Sequence, residues 1–400
     1  MTKKPLKVAM IAPPWLAIPT KGYGGIELVI ESLVDLLRKQ GVEVELFGNG
    51  ARSMKGVKTR SLYKKDMFDK IDWPYYDAPL QVMQSHMHFA LDYIEKKGDF
   101  DIIHDHNLYI GPSFLSLATR IDSVPPALHT FHGPPFSTDA EIAAGKEDNR
   151  TQLSLMPDSG KFYMTCISDT QKAQAPNKVS SRMLDTVYNA IELDLFPFVE
   201  KKKDYYITLA RFTPEKGQHI AAKFAAKYRK RLHMAGTVAG IDTKRKLFLE
   251  LSNPLSKYRQ NKEFVYYSDK VLQYVLRYPK INFMGNIGGT KKYEFIGKAK
   301  ALLFPIQWEE PFGMAVIEAL ACGTPVVAMR RGAMPEIIQH GVNGFLADTE
   351  QEFFDYANRV DEINPADCRR SVEEKFSATV MAQAYIDRYN QVIELANSKK

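Results

Sequence analysis

The chain alternates short apolar runs with stretches in which apolar residues recur at helical spacing. VAMIA (8–12) is apolar throughout, as expected of a parallel strand buried on both faces. Behind it, Ile26, Val29, Ile30, Leu33 and Leu37 form one stripe of a helix, which Arg38, Lys39 and Gly41 bring to a stop. Further strands read at VEVELFG (42–48), 57–62, DIIHDH (101–106), 125–131, 163–167 and 186–188, with a helix over 81–97. FPFVEKKKD (196–204) bears a proline and several charges and reads as a linker. A second alternating series follows, with strands at 205–211, 232–235, 281–284, 301–306, 325–329 and 344–346 and a last helix over 378–397. Two such series predict two doubly wound α/β domains, each taking ligands beyond the carboxyl ends of its strands. Two domains of this kind facing one another share a cleft.

Composition narrows the class. Four hundred residues exceed one ordinary core, and 45% apolar with 25% charged residues is the make-up of a globular enzyme. No apolar run approaches the roughly 20 residues of a spanning helix. The basic, apolar start is interrupted by Pro13 and Pro14, so it reads as a first strand and not as a leader. Cys166, Cys322 and Cys368 give neither a disulfide framework nor zinc spacing, which points to the cytoplasm. The net charge of +7 invites an anionic ligand. Its basic runs, at 201–203, 227–231 and 244–246, lack the interleaved aromatics of a nucleic-acid binder.

Two stretches stand apart. Residues 62–79 carry Trp73, Tyr75 and Tyr76 and read as a surface loop packed by its own aromatics, with an acceptor-lining or membrane-touching role as the alternative. Residues 242–280 are rich in Lys, Tyr and Leu and hold two helices without an assignable role.

Candidate chemistry concentrates in four places. EPFGMAVIE (310–318) follows a strand and opens a helix, so the backbone N–H groups of Phe312, Gly313 and Met314 lie at a helix N-terminus that attracts anions. Glu310 and Glu318 flank it, and ionised carboxylates accept hydrogen bonds from hydroxyls. Phosphate together with polyol describes a nucleotide sugar. LARFTPEKG puts Arg211 at a strand end and Lys216 before a helix, a fork and a point charge suited to a diphosphate. In PPWLAIPTKGYGGIE, Gly22, Gly24 and Gly25 let backbone approach a ligand, although the strict dinucleotide pattern and its acidic ribose partner are missing. His104, His106, His129 and His132 crowd strand ends. His104 and His106 share a strand face, but no carboxylate or Cys cluster completes a metal site and Asp105 points the other way. Asp99 and Asp101 form a DxD pattern at the start of a strand, the wrong end for a ligand, and read as a turn.

These motifs, in this order, resemble the retaining glycosyltransferases of GT-B fold, in particular glycosyltransferase family 4. The matching phrases are the Gly-Gly loop, HTFHG (129–133), the Arg211…Glu215-Lys216-Gly217 phrase and the Glu pair with seven residues between. The resemblance implies an acceptor-side Rossmann-like domain over 1–198, a nucleotide-sugar domain over 199–378 and a helix, 379–400, crossing back to the first. It implies that Arg211 and Lys216 bind donor pyrophosphate, Glu310 the donor-sugar hydroxyls and Glu318 the ribose. Gly285 then meets the base, and Gly24, Gly25 and Gly332 approach the donor. His132 lies near the reacting centre and His106 near the acceptor, while His104 and His129 are packing residues. Glu336 is a charge at a helix N-terminus. Expected is transfer of a hexose-type sugar from a nucleotide-diphosphate donor to a hydroxyl of a glycan, lipid-linked or small-molecule acceptor. The resemblance further implies retention by front-face attack, a donor phosphate oxygen helping to take the acceptor proton. Neither cofactor nor metal is implied, and a peripheral contact at the inner membrane face stays open. A GT-B phosphorylase, a sugar-nucleotide epimerase and a non-catalytic sugar-nucleotide-binding protein are the alternatives.

Overall fold

The computed structural model describes residues 4–20, 24–71, 78–108, 110–143, 145 and 148–398. Gly22, Trp73, Tyr75 and Tyr76 lie outside the described residues. The chain forms two compact units, 1–189 with 378–400, and 190–377.

In the first unit the described strands are β1 (Lys7–Ile11), β2 (Glu43–Phe47), β3 (Lys58–Arg60), β4 (Ile102–Asp105), β5 (Ala127–Phe131) and β6 (Phe162–Cys166). All are parallel, in the order β3-β2-β1-β4-β5-β6. β4, β5 and β6 are buried along their whole length, which explains their unbroken apolar text. The helix Gly25–Lys39 buries Val29, Ile30, Leu33, Val34 and Leu37. Order reverses between β1 and β4, so the loops that follow these two strands diverge and leave a crevice at their carboxyl ends.

The segment 186–188 is not a strand. Leu184 N–H bonds Met164 and Val187 N–H bonds Cys166, three residues apart where a continuing ladder needs two. One residue too many sits between the bonds, and pairing stops at a single bridge, Met164 with Met183.

The second unit repeats the order. Its strands are β7 (Tyr206–Leu209), β8 (Leu232–Ala235), β9 (Ile281–Gly285), β10 (Ala301–Phe304), β11 (Val326–Met329) and β12 (Gly344–Ala347), arranged β12-β11-β10-β7-β8-β9. Here the reversal falls between β7 and β10. The stretch read as a linker is instead fastened to this unit. Phe196 is buried against Tyr293, Val199 N–H bonds Cys322, and Lys202 gives its ammonium to Gly297 O, Cys322 O and Thr324 Oγ1 at 2.8–3.2 Å. Burial lowers the Lys202 pKa to about 8. Charged text misled because a lysine can be held by carbonyl oxygens. The 242–280 stretch holds a helix, Lys244–Ser252, and a second, Lys262–Tyr266, that passes through a π turn, Tyr267–Val271, into Leu272–Arg277.

The last helix, Ala378–Ser398, belongs to the first unit, packing on Gly25–Lys39 and β5. Its Tyr389 and Tyr385 are fully buried, and their hydroxyls meet His104 Nδ1 at 2.7 Å and Thr130 Oγ1 at 3.2 Å. Among the described residues no helix is long and apolar enough to cross a membrane.

Tyr389→Phe strands the His104 nitrogen without changing shape. Leaving a buried polar atom unpaired costs about 1–3 kcal/mol. A denaturant midpoint lowered by that amount is expected, and an unchanged midpoint would show that the Tyr389–His104 bond does not hold this helix.

Candidate functional site

At the β7/β10 reversal the loops leaving the two strands are stitched together. Gln307 N–H bonds Glu215 O at 2.7 Å, and a Cβ on Gly217 would lie 2.0 Å from Pro305 O. Gly217 also has φ +65°, so only glycine fits this close approach. The contact brings Lys216 to Glu310, and the two form an ion pair mostly shielded from solvent. The Lys216 ammonium also sits 5.0 Å from the centre of the Trp308 ring, and Trp308 Nε1 donates to Glu310 Oε2 at 2.8 Å. Glu310 is thereby gripped from two sides, by a charge and by an indole N–H.

Its backbone is fixed as well. Ala333 N–H bonds Glu310 O at 2.9 Å, and Gly332 N–H bonds Glu309 Oε2 at 2.6 Å. A Cβ on Gly332 (φ +55°) would lie 2.2 Å from Glu310 O, so this glycine is required by the 310 loop whatever ligand is present. The helix Met314–Ala321 starts from Gly313 at φ 92°. Among the described residues the Gly313 and Met314 N–H groups have no hydrogen-bond partner, while Phe312 is buried with its ring on Phe376. Glu318, on that helix, is held by Lys292 from the helix Gly289–Gly297, at 2.7 Å to Oε1 and 2.6 Å to Oε2.

Arg211 stands differently. Its side chain is 55% exposed and pairs with Glu263 at 3.2 Å, away from the Lys216 cluster's own bonds. Gly285 (φ +76°) closes β9 against Asp242, whose O would lie 2.3 Å from a Cβ there. Glu336 lies in the short helix Met334–Ile337.

In the first unit, the loops after β1 and β4 frame a cavity of about 310 Å³ lined by Trp15, Gly24, Gly25, Glu27, His106 and Asn107 among others. Gly24 adopts φ +139° with a Cβ position 3.0 Å from Glu27 Oε2. Glu27 is buried, and burial raises its carboxyl pKa. His106 Nδ1 and His132 Nε2 lie 2.7 Å apart, so one neutral ring donates to the other. His104 faces the tyrosines of the last helix. Asp105 turns to the opposite side of β4, where His129 Nδ1 meets it at 2.6 Å, both fully buried, and Asn107 Nδ2 donates to it at 2.8 Å. His129 therefore does more than pack, because its Nδ1 hydrogen-bonds a buried carboxylate. Asp99 and Asp101 bond Lys7, through Nζ and N–H respectively, as a turn beside β1. Among the described residues no three ligating side chains converge.

Thus the structure brings Lys216, Glu310, Gly332 and the Gly313 helix start together, and separately Gly24, Gly25, His106 and His132. Sequence reasoning missed Trp308, Glu309, Lys292, Glu263, Glu27 and Asn107. Trp308 and Glu309 adjoin Glu310 in the sequence, and that adjacency was the available signal. Lys292 and Glu263 gave none, since only the fold places them opposite their partners.

Two parallel sheets with the same strand order and a last helix returned to the first unit define a GT-B protein. Residues 23–195 match Glycosyltransferase Family 4, and 192–371 match Glycosyl transferases group 1. The chain belongs to these family 4, group 1 glycosyltransferases. It is similar to the D-inositol 3-phosphate glycosyltransferase of Mycolicibacterium smegmatis, 23% identical over 94% of this chain and 89% of that protein. That of Mycolicibacterium paratuberculosis is likewise 23% identical, over 86% and 79%. Among solved structures, sucrose-phosphate synthase from Thermosynechococcus elongatus superposes with a TM-score of 0.72 at 19% identity, covering 97% and 99%. Anabaena HepE in complex with UDP-glucose gives 0.63 at 15%, covering 96% and 100%.

The histidines of the first unit predict an acid limit. Burial lowers the pKa of His86 to about 4 and, with repulsion from His129, that of His132 to about 3; His104 and His106 are also depressed, burial first. Unfolded histidine titrates near ~6.5, so the unfolded chain binds more protons below that value. The contribution is complete above about pH 6.5 and is lost as pH falls toward the folded values, at about 1.4 kcal/mol per pH unit for each histidine. The thermal midpoint should fall steeply between about pH 6.5 and 5; a flat profile there would mean that these rings do not stay neutral.

Proposed function

We propose that this protein is a retaining hexosyltransferase, moving a hexose-type sugar from a nucleotide-diphosphate donor to an acceptor hydroxyl in the cytoplasm, without a required metal or cofactor. The observation that carries the reading is the cluster of Lys216, Glu310 and Trp308 beside a helix N-terminus. An ammonium has three N–H donors, so Lys216 can keep Glu310 and still serve a phosphate oxygen. Gly313 and Met314 add backbone N–H groups and the positive end of the helix dipole. Arg211, exposed and held only at its surface by Glu263, is free to exchange that carboxylate for a diphosphate.

Positive charge at these points stabilises the leaving nucleoside diphosphate as the glycosidic bond breaks. Glu310, oriented from two sides, accepts hydrogen bonds from sugar hydroxyls, and Glu318 from the ribose. The acceptor hydroxyl attacks from the face the leaving group departs, and a donor phosphate oxygen takes its proton, which gives retention. We assign the acceptor to the cavity bordered by His106 and Asn107, with His132 as the reacting-centre histidine. The three cysteines, all buried and none in a disulfide among the described residues, favour a reducing compartment.

The decisive test separates the two carboxylates. Glu310→Gln keeps the shape but weakens charge-assisted acceptance, so turnover should fall while a free nucleoside diphosphate still binds. Glu318→Gln should weaken the free diphosphate itself. Each lost bond to a charged group is worth about 1.5–3 kcal/mol, roughly ten- to a hundredfold. Titration of both variants with UDP, ADP and GDP measures this; equal weakening by the two would refute the assigned roles.

Metal independence is tested by exhaustive chelation. Transfer should survive EDTA, whereas loss restored by Mg²⁺ or Mn²⁺ would show that the lysine, arginine and helix charges are insufficient.

A further inference from the structure

The second unit carries a surface that sugar transfer does not use. The helix Lys244–Ser252 is fastened by one buried side chain, Leu247, while Phe248 is 63% and Leu249 60% exposed. Thr243 caps its start, and Arg259 bonds Leu251 O and Asn253 O at its end, so this exposed helix is held in place at both termini. Immediately beyond, Leu255 is 90% exposed.

At about 100° per residue, Arg245, Leu249 and Ser252 point away from Leu247, with Phe248 and Lys246 on the flanks. Phe248 lies one turn from Lys244 and Arg245, and Leu249 one turn from Arg245 and Lys246. Glu250, the one acidic residue of the helix, falls on the inner side and is bonded by Ser256. Among the described residues no hydrogen bond or ion pair engages the side chains of Lys244, Arg245 or Lys246. The outward face therefore sets Leu249 beside Arg245 at its centre, with Phe248 on one flank and Lys246 on the other, and carries no acid.

We propose that this face docks the enzyme on an anionic phospholipid bilayer. Phe248, Leu249 and Leu255 enter the interface, while Arg245 and Lys246 bury their stems and keep their heads among lipid phosphates. A second copy of this chain is a poor occupant, since the same cations would face each other on a molecule of net charge +7. The surface is separate from the Lys216 and Glu310 cluster, so the proposal stands or falls apart from the assigned chemistry.

The test is co-sedimentation of the full chain with phosphatidylcholine vesicles with and without phosphatidylglycerol. Binding should require the anionic lipid and weaken with salt. Phe248→Ser with Leu249→Ser, and separately Arg245→Glu with Lys246→Glu, should each lower partitioning at least about tenfold. Thermal midpoint and nucleoside-diphosphate binding should not change, which distinguishes lost docking from lost fold or lost donor site. Absence of binding by the unaltered chain, equal binding to neutral vesicles, or undiminished binding by either variant would overturn the proposal. So would an effect of the variants on self-association alone.

Discussion

The pairing of β7 with β10 is the constraint on which the candidate chemistry depends. Tyr206 lies in register with Ala301 and Ile207 with Leu302, two strands far apart in sequence placed side by side in one parallel ladder. Because chain connections leave them toward opposite ends of the sheet, their following loops part and then must be rejoined. The rejoining is backbone against backbone, through Gln307 N–H to Glu215 O and through Gly217 beneath Pro305 O. Lys216 and Glu310 are adjacent to these contacts in sequence, so their ion pair inherits the rigidity of the sheet. Had the pairing slipped by one residue, side chains would change faces and the ion pair would be lost.

The first unit meets the same topological problem with neutral groups. Its reversal joins β1 to β4 through His106 N–H on Ile11 O at 3.0 Å, and His86 bonds Ala12 O at 2.9 Å. Asp105 is satisfied out of solvent by His129 and Asn107, and Glu27 adds a buried carboxyl to the cavity lining. One unit thus presents lysines at its reversal and the other uncharged imidazoles. A polyanion suits the first arrangement, and an uncharged hydroxyl compound suits the second.

Much of this was legible in the sequence because parallel strands buried on both faces must be written as apolar runs. Ala301–Phe304 and Val326–Met329 cannot be mistaken for surface text. Glu310, Lys216 and the glycines were legible as phrases, since each sits within a few residues of a strand end. What failed was partnership at long range. Nothing in the letters around Lys292 says that it faces Glu318, or around Glu263 that it holds Arg211. Lys202 failed in the opposite sense, as its charge suggested solvent while three oxygen acceptors drew it inward. The 186–188 segment had strand-like composition, yet one surplus residue broke its ladder.

The partners the sequence concealed also bear on how a ligand is taken up. Glu310 and Glu318 are each already engaged by a lysine, so neither presents a bare carboxylate to an incoming diphosphate. An unscreened pair of anions there would repel the charge that the helix N-terminus attracts, and the two effects would largely cancel. With the lysines in place, the carboxylate charges are offset while carboxylate oxygens remain available to hydroxyls. On the proposed reading, binding exchanges ion pairs within the cluster, Lys216 and Arg211 sharing with the diphosphate the charge they give Glu310 and Glu263. Such exchange needs little rearrangement, because Trp308 and the backbone around Gly332 hold Glu310 whether or not Lys216 shares its protons with a phosphate.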